Sequence, residues 1–146
     1  MRWPVLLALV LLAGCGAGPQ APAAKSGTGE LRTDLGPLVQ RFPVLGTPAG
    51  ARWMSGTFGR SDVPGPSTYW IDAVVTLPPD QVERLRAVSV AEGEVPEVVA
   101  GLRAELPDGP FLTGDAVDAV FAHDGWYANA YLDADAGELV LVATGS

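Results

Sequence analysis

Apolar and polar residues alternate along several parts of the chain, and this two-residue period predicts strands. The clearest strand covers residues 69–77, where odd-numbered residues share one face and even-numbered residues, including Trp70 and Asp72, share the other. Residues 51–58 and 126–133 have the same period. Residues 138–144 are apolar on both faces at their centre, which is typical of a covered strand. The loop 134–137 then joins the last two strands as a hairpin.

A 3.6-residue period of apolar positions predicts helices between these strands. Residues that cap helices, and prolines that begin or end them, mark the boundaries. The first helix is capped by Thr33 or Asp34 and ends at Pro43, and the second starts at Pro78-Pro79-Asp80. The third helix extends from Pro96 to Leu106, and a short fourth helix is capped by Thr113 or Asp115.

The order of these elements is strands, then helices, then a hairpin. This order predicts an α+β fold: a small, mostly antiparallel sheet of about four strands, with two to four helices packed on one face. Residues 30–146 fit a single globular domain with one core of ordinary size.

The charge balance narrows the choice of partners. The chain has 9 basic and 17 acidic residues, which gives a net charge of -8. A nucleic-acid-binding surface needs cationic groups for the phosphate backbone, so the composition argues against a nucleic-acid partner. The acidic charge would also repel anionic lipid headgroups, and it favours solubility or cationic partners.

The N-terminal residues have the order of a bacterial export signal. Arg2 precedes an apolar run at residues 5–12, and Ala13-Gly14-Cys15 follows it. The run is much shorter than the about 20 residues of a membrane-spanning helix. Leu12-Ala13-Gly14-Cys15 resembles the lipobox of bacterial lipoproteins. The alternative is an ordinary secretory signal with an incidental cysteine.

The lipoprotein resemblance implies a location and an anchor. It implies that residues 1–14 are a signal peptide, that the Cys15 thiol carries a diacylglyceryl group with acyl chains such as palmitate, and that cleavage makes Cys15 the first mature residue. The domain would then stand outside the cell, at the outer face of the cytoplasmic membrane. The abundance of Arg, Ala, Val, Gly and Pro is typical of a GC-rich genome, so the chain resembles the small lipoproteins of actinobacteria.

The segment after the cysteine and the cysteine count add two expectations. Residues 15–29 are rich in Gly, Ala and Pro with no large apolar side chain, which predicts a flexible tether of about 20 Å span. Cys15 is the only cysteine of the chain. If it is lipidated, a disulfide, a cysteine nucleophile and a cysteine-based zinc site are excluded.

Two acidic constellations resemble catalytic or metal sites, and each has a simpler interpretation. His123 and Asp124 have the residue types of a catalytic base and the carboxylate that orients it. The simpler interpretation is that His123 lies in the last turn of a helix, where a cation is favoured, and that Gly125 ends this helix. The alternating carboxylates of residues 133–138 resemble a calcium loop but lack ligands, and Asp and Gly are common in turns. We therefore assign no catalytic residue, metal or cofactor.

The most promising binding surface is aromatic. Tyr127, Asn129 and Tyr131 share one face of their predicted strand, as Trp70 and Asp72 do on theirs. If the two faces coincide, rings alternate with polar groups, a surface that suits a sugar ring or a peptide. The alternative is that this face is covered and the rings belong to the core.

These observations predict a non-catalytic binding or interaction domain at the cell envelope. Its partner would be a cell-wall component, a small solute or another envelope protein. Two other functions stay open: a small envelope enzyme that uses carboxylates and His123, and an inhibitor or scaffold of a larger envelope protein. The sequence does not predict the oligomeric state.

Overall fold

The computed structural model of the protein describes residues 24–26, 29–59 and 64–146. The predicted signal peptide at residues 1–14, the lipidation residue Cys15 and the first part of the predicted tether lie outside the described residues. Two residues of the predicted tether, Lys25 and Ser26, form a short strand.

A single antiparallel sheet of seven strands, curled into a half-barrel, forms the framework. Its strands lie in the order β1-β2-β3-β7-β6-β5-β4, and every neighbouring pair is antiparallel. The strands are β1 (Lys25–Ser26), β2 (Gly50–Phe58), β3 (Tyr69–Thr76), β4 (Ala91–Gly93), β5 (Phe111–Thr113), β6 (Trp126–Asp133) and β7 (Glu138–Gly145).

The expected α+β fold with about four strands is therefore wrong, because the fold is mostly β. The four predicted strands exist as β2, β3, β6 and β7, and they occupy the centre of the sheet. The three additional strands, β1, β4 and β5, have only two or three residues each. A two-residue period cannot be read from so few residues, and these strands form because they pair with the edges of the central four.

Three short α-helices accompany the sheet: α1 (Gly36–Arg41), α2 (Pro79–Val88) and α3 (Asp115–Phe121). Helix α2 begins at the predicted prolines, which suit the first helical turn. The predicted caps of α1 and α3 are wrong, since Leu35 and Gly114 stand at their N-caps without a side-chain bond. The Asp34 carboxylate instead accepts a hydrogen bond from Arg32 Nε at 2.9 Å.

The helix predicted from Pro96 to Leu106 is also wrong. Only residues Ala100–Glu105 are helical, as a 3₁₀ helix. Gly101 explains part of the difference, because a Cβ atom there would lie 2.8 Å from the Sδ atom of Met54. The glycine permits this close packing against the sheet and weakens an α-helix at the same position.

The sheet has two buried faces. On the inner face, the three α-helices cover a core whose residues include Phe42, Leu85 and Phe121. On the outer face, the segment 95–106 covers a smaller core with Trp70, Leu102 and Phe111. The expectation of helices on one face therefore describes the α-helices and a 3₁₀ helix at Pro43–Leu45, whose Leu45 belongs to the same core. The 3₁₀ helix Ala100–Glu105 packs on the other face.

Candidate functional site

The five residues predicted as a binding surface lie on the outer face of the sheet. Trp70 and Tyr127 both pair with Thr144, and Asp72 and Asn129 both pair with Val142. Directly opposed residues of an antiparallel sheet point to the same side. The faces of β3 and β6 therefore coincide.

The outer face is nevertheless divided, because Trp70 and Asp72 are completely buried. The indole Nε1 of Trp70 donates to the carbonyl oxygens of Ser26 and Thr57, at 3.2 and 3.0 Å. Asp72 accepts hydrogen bonds from Lys25 Nζ at 2.6 and 2.7 Å and from the Val99 N–H at 2.7 Å. These two side chains hold β1 and the segment 95–106 against the sheet.

The β6 members of the set are accessible. Tyr127 is 71% exposed and Asn129 is exposed, while Tyr131 is half-buried with its ring edge-on to Phe111 at 6.5 Å. Burial of the phenol raises the pKa of Tyr131, and the carboxylates of Asp118, Glu97 and Glu94 add to the effect. The result is a shallow acidic surface rather than a continuous aromatic platform.

His123 lies in a tight turn between α3 and β6. His123 and Trp126 exchange backbone hydrogen bonds of 3.1 and 2.8 Å around Asp124 and Gly125, which both have positive φ angles. The favoured placement of His123 in the last helical turn is therefore wrong, because α3 ends at Phe121. The imidazole Nε2 lies 2.8 Å from the Asp124 carboxylate, but both side chains are more than half exposed. This pair stands on the surface rather than in a cleft.

Among the carboxylates of residues 133–138, Asp133 holds the hairpin and Glu138 forms an ion pair with Arg52 at 2.9 Å. Asp133 is 2% exposed and accepts hydrogen bonds from the N–H groups of Gly109 and Ala136, at 2.8 and 2.9 Å. Across residues 24–26, 29–59 and 64–146, no group of three or more His, Cys, Asp or Glu side chains has a geometry that could hold a metal ion.

The inner face holds a better-formed site, at the end of the sheet where β2 ends and β3 begins. A cavity of about 460 Å³ opens there between α1 and the sheet. We call it the tryptophan cleft. Its lining includes Arg41 from α1, Trp53, Ser55 and Thr57 from β2, Tyr69 and Ile71 from β3, and Trp126 from β6.

Small residues and a short helix together create this cleft. Ser55, Ala143 and Ala128 lie in one row across the inner face, and Gly145 stands in the next row. Helix α1 has only six residues and ends at Arg41, so it does not fill the space that these small side chains leave. Volumes of this size are typical of small-molecule sites.

Trp126 forms one wall of the cleft and is held in a fixed position. Its ring lies across Gly145 so closely that a Cβ atom on that glycine would be 2.3 Å from the indole. Phe42 meets the ring edge-on at 5.9 Å. Only 5% of Trp126 is exposed, so this wall is rigid and mostly apolar.

Arg41 gives the cleft a positive charge on an otherwise acidic protein. Its guanidinium lies 4.9 Å from the Trp126 ring centre. Within the described part of the chain, no carboxylate lies within salt-bridge distance of Arg41, whereas Arg32 and Arg52 each have acidic partners. The side chain is exposed, so its N–H donors are available to an anion.

The cleft thus combines a cation, hydroxyl groups and aromatic walls. The hydroxyls come from Ser55, Thr57 and the 46%-exposed Tyr69. Such a set suits a ligand with an anionic group and an apolar body, since guanidinium donors bind oxyanions and rings cover apolar surface. Among the described residues that line it, no nucleophile and base are positioned as a pair of the kind that covalent catalysis requires.

The sequence did not indicate this site. Arg41, Ser55 and Trp126 come from three elements that are far apart along the chain, and no local spacing connects them. One available signal was the run of small residues on the inner faces of β6 and β7, which leaves room beside Trp126.

Comparison with protein-family models, curated proteins and solved structures finds no match to this chain. In the described ranges, none of the helices has the length and apolar character needed to cross a membrane.

Proposed function

We propose that this chain is a membrane-anchored, extracytoplasmic binding domain without catalytic activity, and that the tryptophan cleft is its ligand site. The lipobox-like residues that end at Cys15 support the anchor and the location. The exposed Arg41 guanidinium, 4.9 Å from the Trp126 ring centre and without a salt-bridge partner among the described residues, is the observation that carries the assignment of the site. The ligand is a small amphipathic anion.

The inner-face cleft is favoured over the outer face for a physical reason. A binding site gains affinity where a ligand is enclosed and a few polar groups fix its orientation. In the cleft, the Arg41 guanidinium and the Tyr69 hydroxyl are accessible to a ligand, whereas Trp70 and Asp72 on the outer face already have partners within the fold.

Binding of 1-anilinonaphthalene-8-sulfonate tests the proposal, because this probe joins an apolar ring system to a sulfonate. Its fluorescence rises when it enters an apolar site. We expect saturable binding by the native protein and a loss of about tenfold in affinity for Arg41→Gln. Ser55→Leu, which fills the cleft, should cause a similar loss. Tenfold corresponds to about 1.4 kcal/mol, close to the lower limit for a charged hydrogen bond.

Tyr127→Ala is the matched control on the outer face and should bind the probe like the native protein. Circular dichroism and urea denaturation establish that each variant is folded. Loss of binding in Tyr127→Ala with retention in Arg41→Gln would instead assign the site to the outer face.

A further inference from the structure

We infer that the tryptophan cleft faces the membrane and takes an anionic phospholipid from the bilayer, an inference that rests on the proposed function and narrows its ligand. The chain enters the fold at the same end of the sheet at which the cleft lies. Strand β1 runs antiparallel to β2, with Lys25 opposite Phe58 and Ser26 opposite Thr57. Because Thr57 lines the cleft, the residues before Lys25 approach the sheet at the cleft end.

Several contacts fix this point of entry. The Gly59 N–H donates to the carbonyl oxygen of Ala24 at 3.0 Å. The Ser26 hydroxyl donates to the carbonyl oxygen of Gly59 at 2.6 Å. Lys25 is held by the fully buried carboxylate of Asp72. The N-terminal attachment is therefore part of the fold and cannot shift to the other end of the sheet without breaking these bonds.

Chain length then limits the distance between the anchor and the cleft end. Ten residue steps separate Cys15 from Lys25, so these residues are at most about 36 Å apart whatever conformation the intervening chain adopts. The opposite end of the sheet, at the loop 134–137, lies farther away by the length of β7, about 27 Å for eight residues. The cleft end is therefore the part of the described fold that lies nearest along the chain to an acyl anchor on Cys15, and it reaches the bilayer with the shortest extension of the intervening residues.

The net charge of -8 repels anionic headgroups from the protein as a whole, so the attraction must be local to Arg41. The lining of the cleft matches the two parts of a phospholipid. A phosphate group suits the Arg41 guanidinium, which offers paired N–H donors, and the hydroxyls of Ser55 and Tyr69 lie in the same cleft. The acyl portion suits the exposed apolar surface of Pro37 and of the Tyr69 ring in the lining. Tyrosine and tryptophan also favour the boundary between lipid headgroups and acyl chains.

The orientation can be measured with two labels at opposite ends of β7. Ser146 follows β7 at the cleft end and Asp135 lies in the loop at the other end; both are exposed. A cysteine at either position is the only free thiol once Cys15 is lipidated. Ser146→Cys and Asp135→Cys proteins carry a fluorophore and are anchored in vesicles with brominated acyl chains. We expect stronger quenching at Ser146; equal or reversed quenching overturns the inferred orientation.

The occupant can be measured by intrinsic tryptophan fluorescence of the lipidated protein. In phosphatidylcholine vesicles, a minor fraction of brominated phosphatidylglycerol should quench the emission more than the same fraction of brominated phosphatidylcholine. The preference should disappear in Arg41→Gln and persist in Tyr127→Ala. An absent preference overturns the phospholipid assignment. If anilinonaphthalene sulfonate still binds in solution, the proposed function survives that result; if it does not, both proposals fail.

Discussion

Replacing Lys25 by methionine removes one partner of the ion pair that joins β1 to the sheet. The pair buries the Asp72 carboxylate completely, with the Lys25 side chain 23% exposed. After the change, the Val99 N–H at 2.7 Å is the remaining hydrogen-bond donor to Asp72 in the described structure. A buried carboxylate that loses its cation is strongly destabilising, at about 3–5 kcal/mol.

The partial exposure of Lys25 places the expected loss at the lower end of that range, about 3 kcal/mol. Urea denaturation followed by circular dichroism measures it. With a denaturant slope of about 1.5 kcal/mol per M, the unfolding midpoint should fall by about 2 M. Arg84→Met is the matched control, because the Arg84–Asp80 pair is 3.8 Å apart and largely exposed; its loss should stay within about 0.5 kcal/mol.

The double variant Lys25→Met/Asp72→Asn separates charge burial from simple loss of β1 packing. It removes the uncompensated charge, so its free energy of unfolding should exceed that of Lys25→Met alone. A Lys25→Met protein as stable as the Arg84→Met control would refute the reasoning, since the buried carboxylate would then need no cation.

Two further perturbations test the packing around the cleft and the environment of Tyr131. Gly145→Ala should lower the free energy of unfolding in urea by about 1–3 kcal/mol, because its Cβ atom would meet the Trp126 ring. Gly50→Ala is the control and should cost much less, because no heavy atom lies within 4 Å of a Cβ atom there. Equal losses in the two variants would contradict the close contact. Tyr131 has a raised pKa in the fold, so the folded state holds the phenolic proton more tightly than the unfolded chain, and the free energy of unfolding should fall as the pH rises above about 10. Tyr131→Phe should reduce this fall, and an unchanged dependence of the free energy of unfolding on pH would contradict the burial effect.

The long strands and α2 could be predicted because they carry their own evidence. In β3, the two-residue period extends over eight residues, and Pro79 marks the start of α2. The edge strands could not be predicted, because residues such as Lys25 and Glu92 become strands only by pairing with partners elsewhere in the chain. Because these edge strands were not predicted, the expected fold was α+β with about four strands, whereas the structure is a seven-stranded β fold.

The candidate site was less accessible to sequence reasoning than the fold. Alternation grouped Trp70 with Asp72 and Tyr127 with Asn129, but it left open whether the two faces coincide, which the pairing of both strands with β7 shows. It could not show that Lys25, 47 residues from Asp72 in sequence, covers part of that face. The cleft depends on how far α1 extends over the sheet, which is a property of tertiary packing and leaves no local signal.

The most direct test of the account is a map of where an amphipathic anion binds. Two-dimensional NMR of the labelled protein during titration with anilinonaphthalene sulfonate provides this map. We expect saturable shifts at the Arg41, Ser55 and Thr57 amides and at the Trp126 indole N–H, with little change at Asn129 on the outer face. Shifts concentrated at Asn129 and its neighbours, or none that saturate, would contradict the claim that the tryptophan cleft is the binding site.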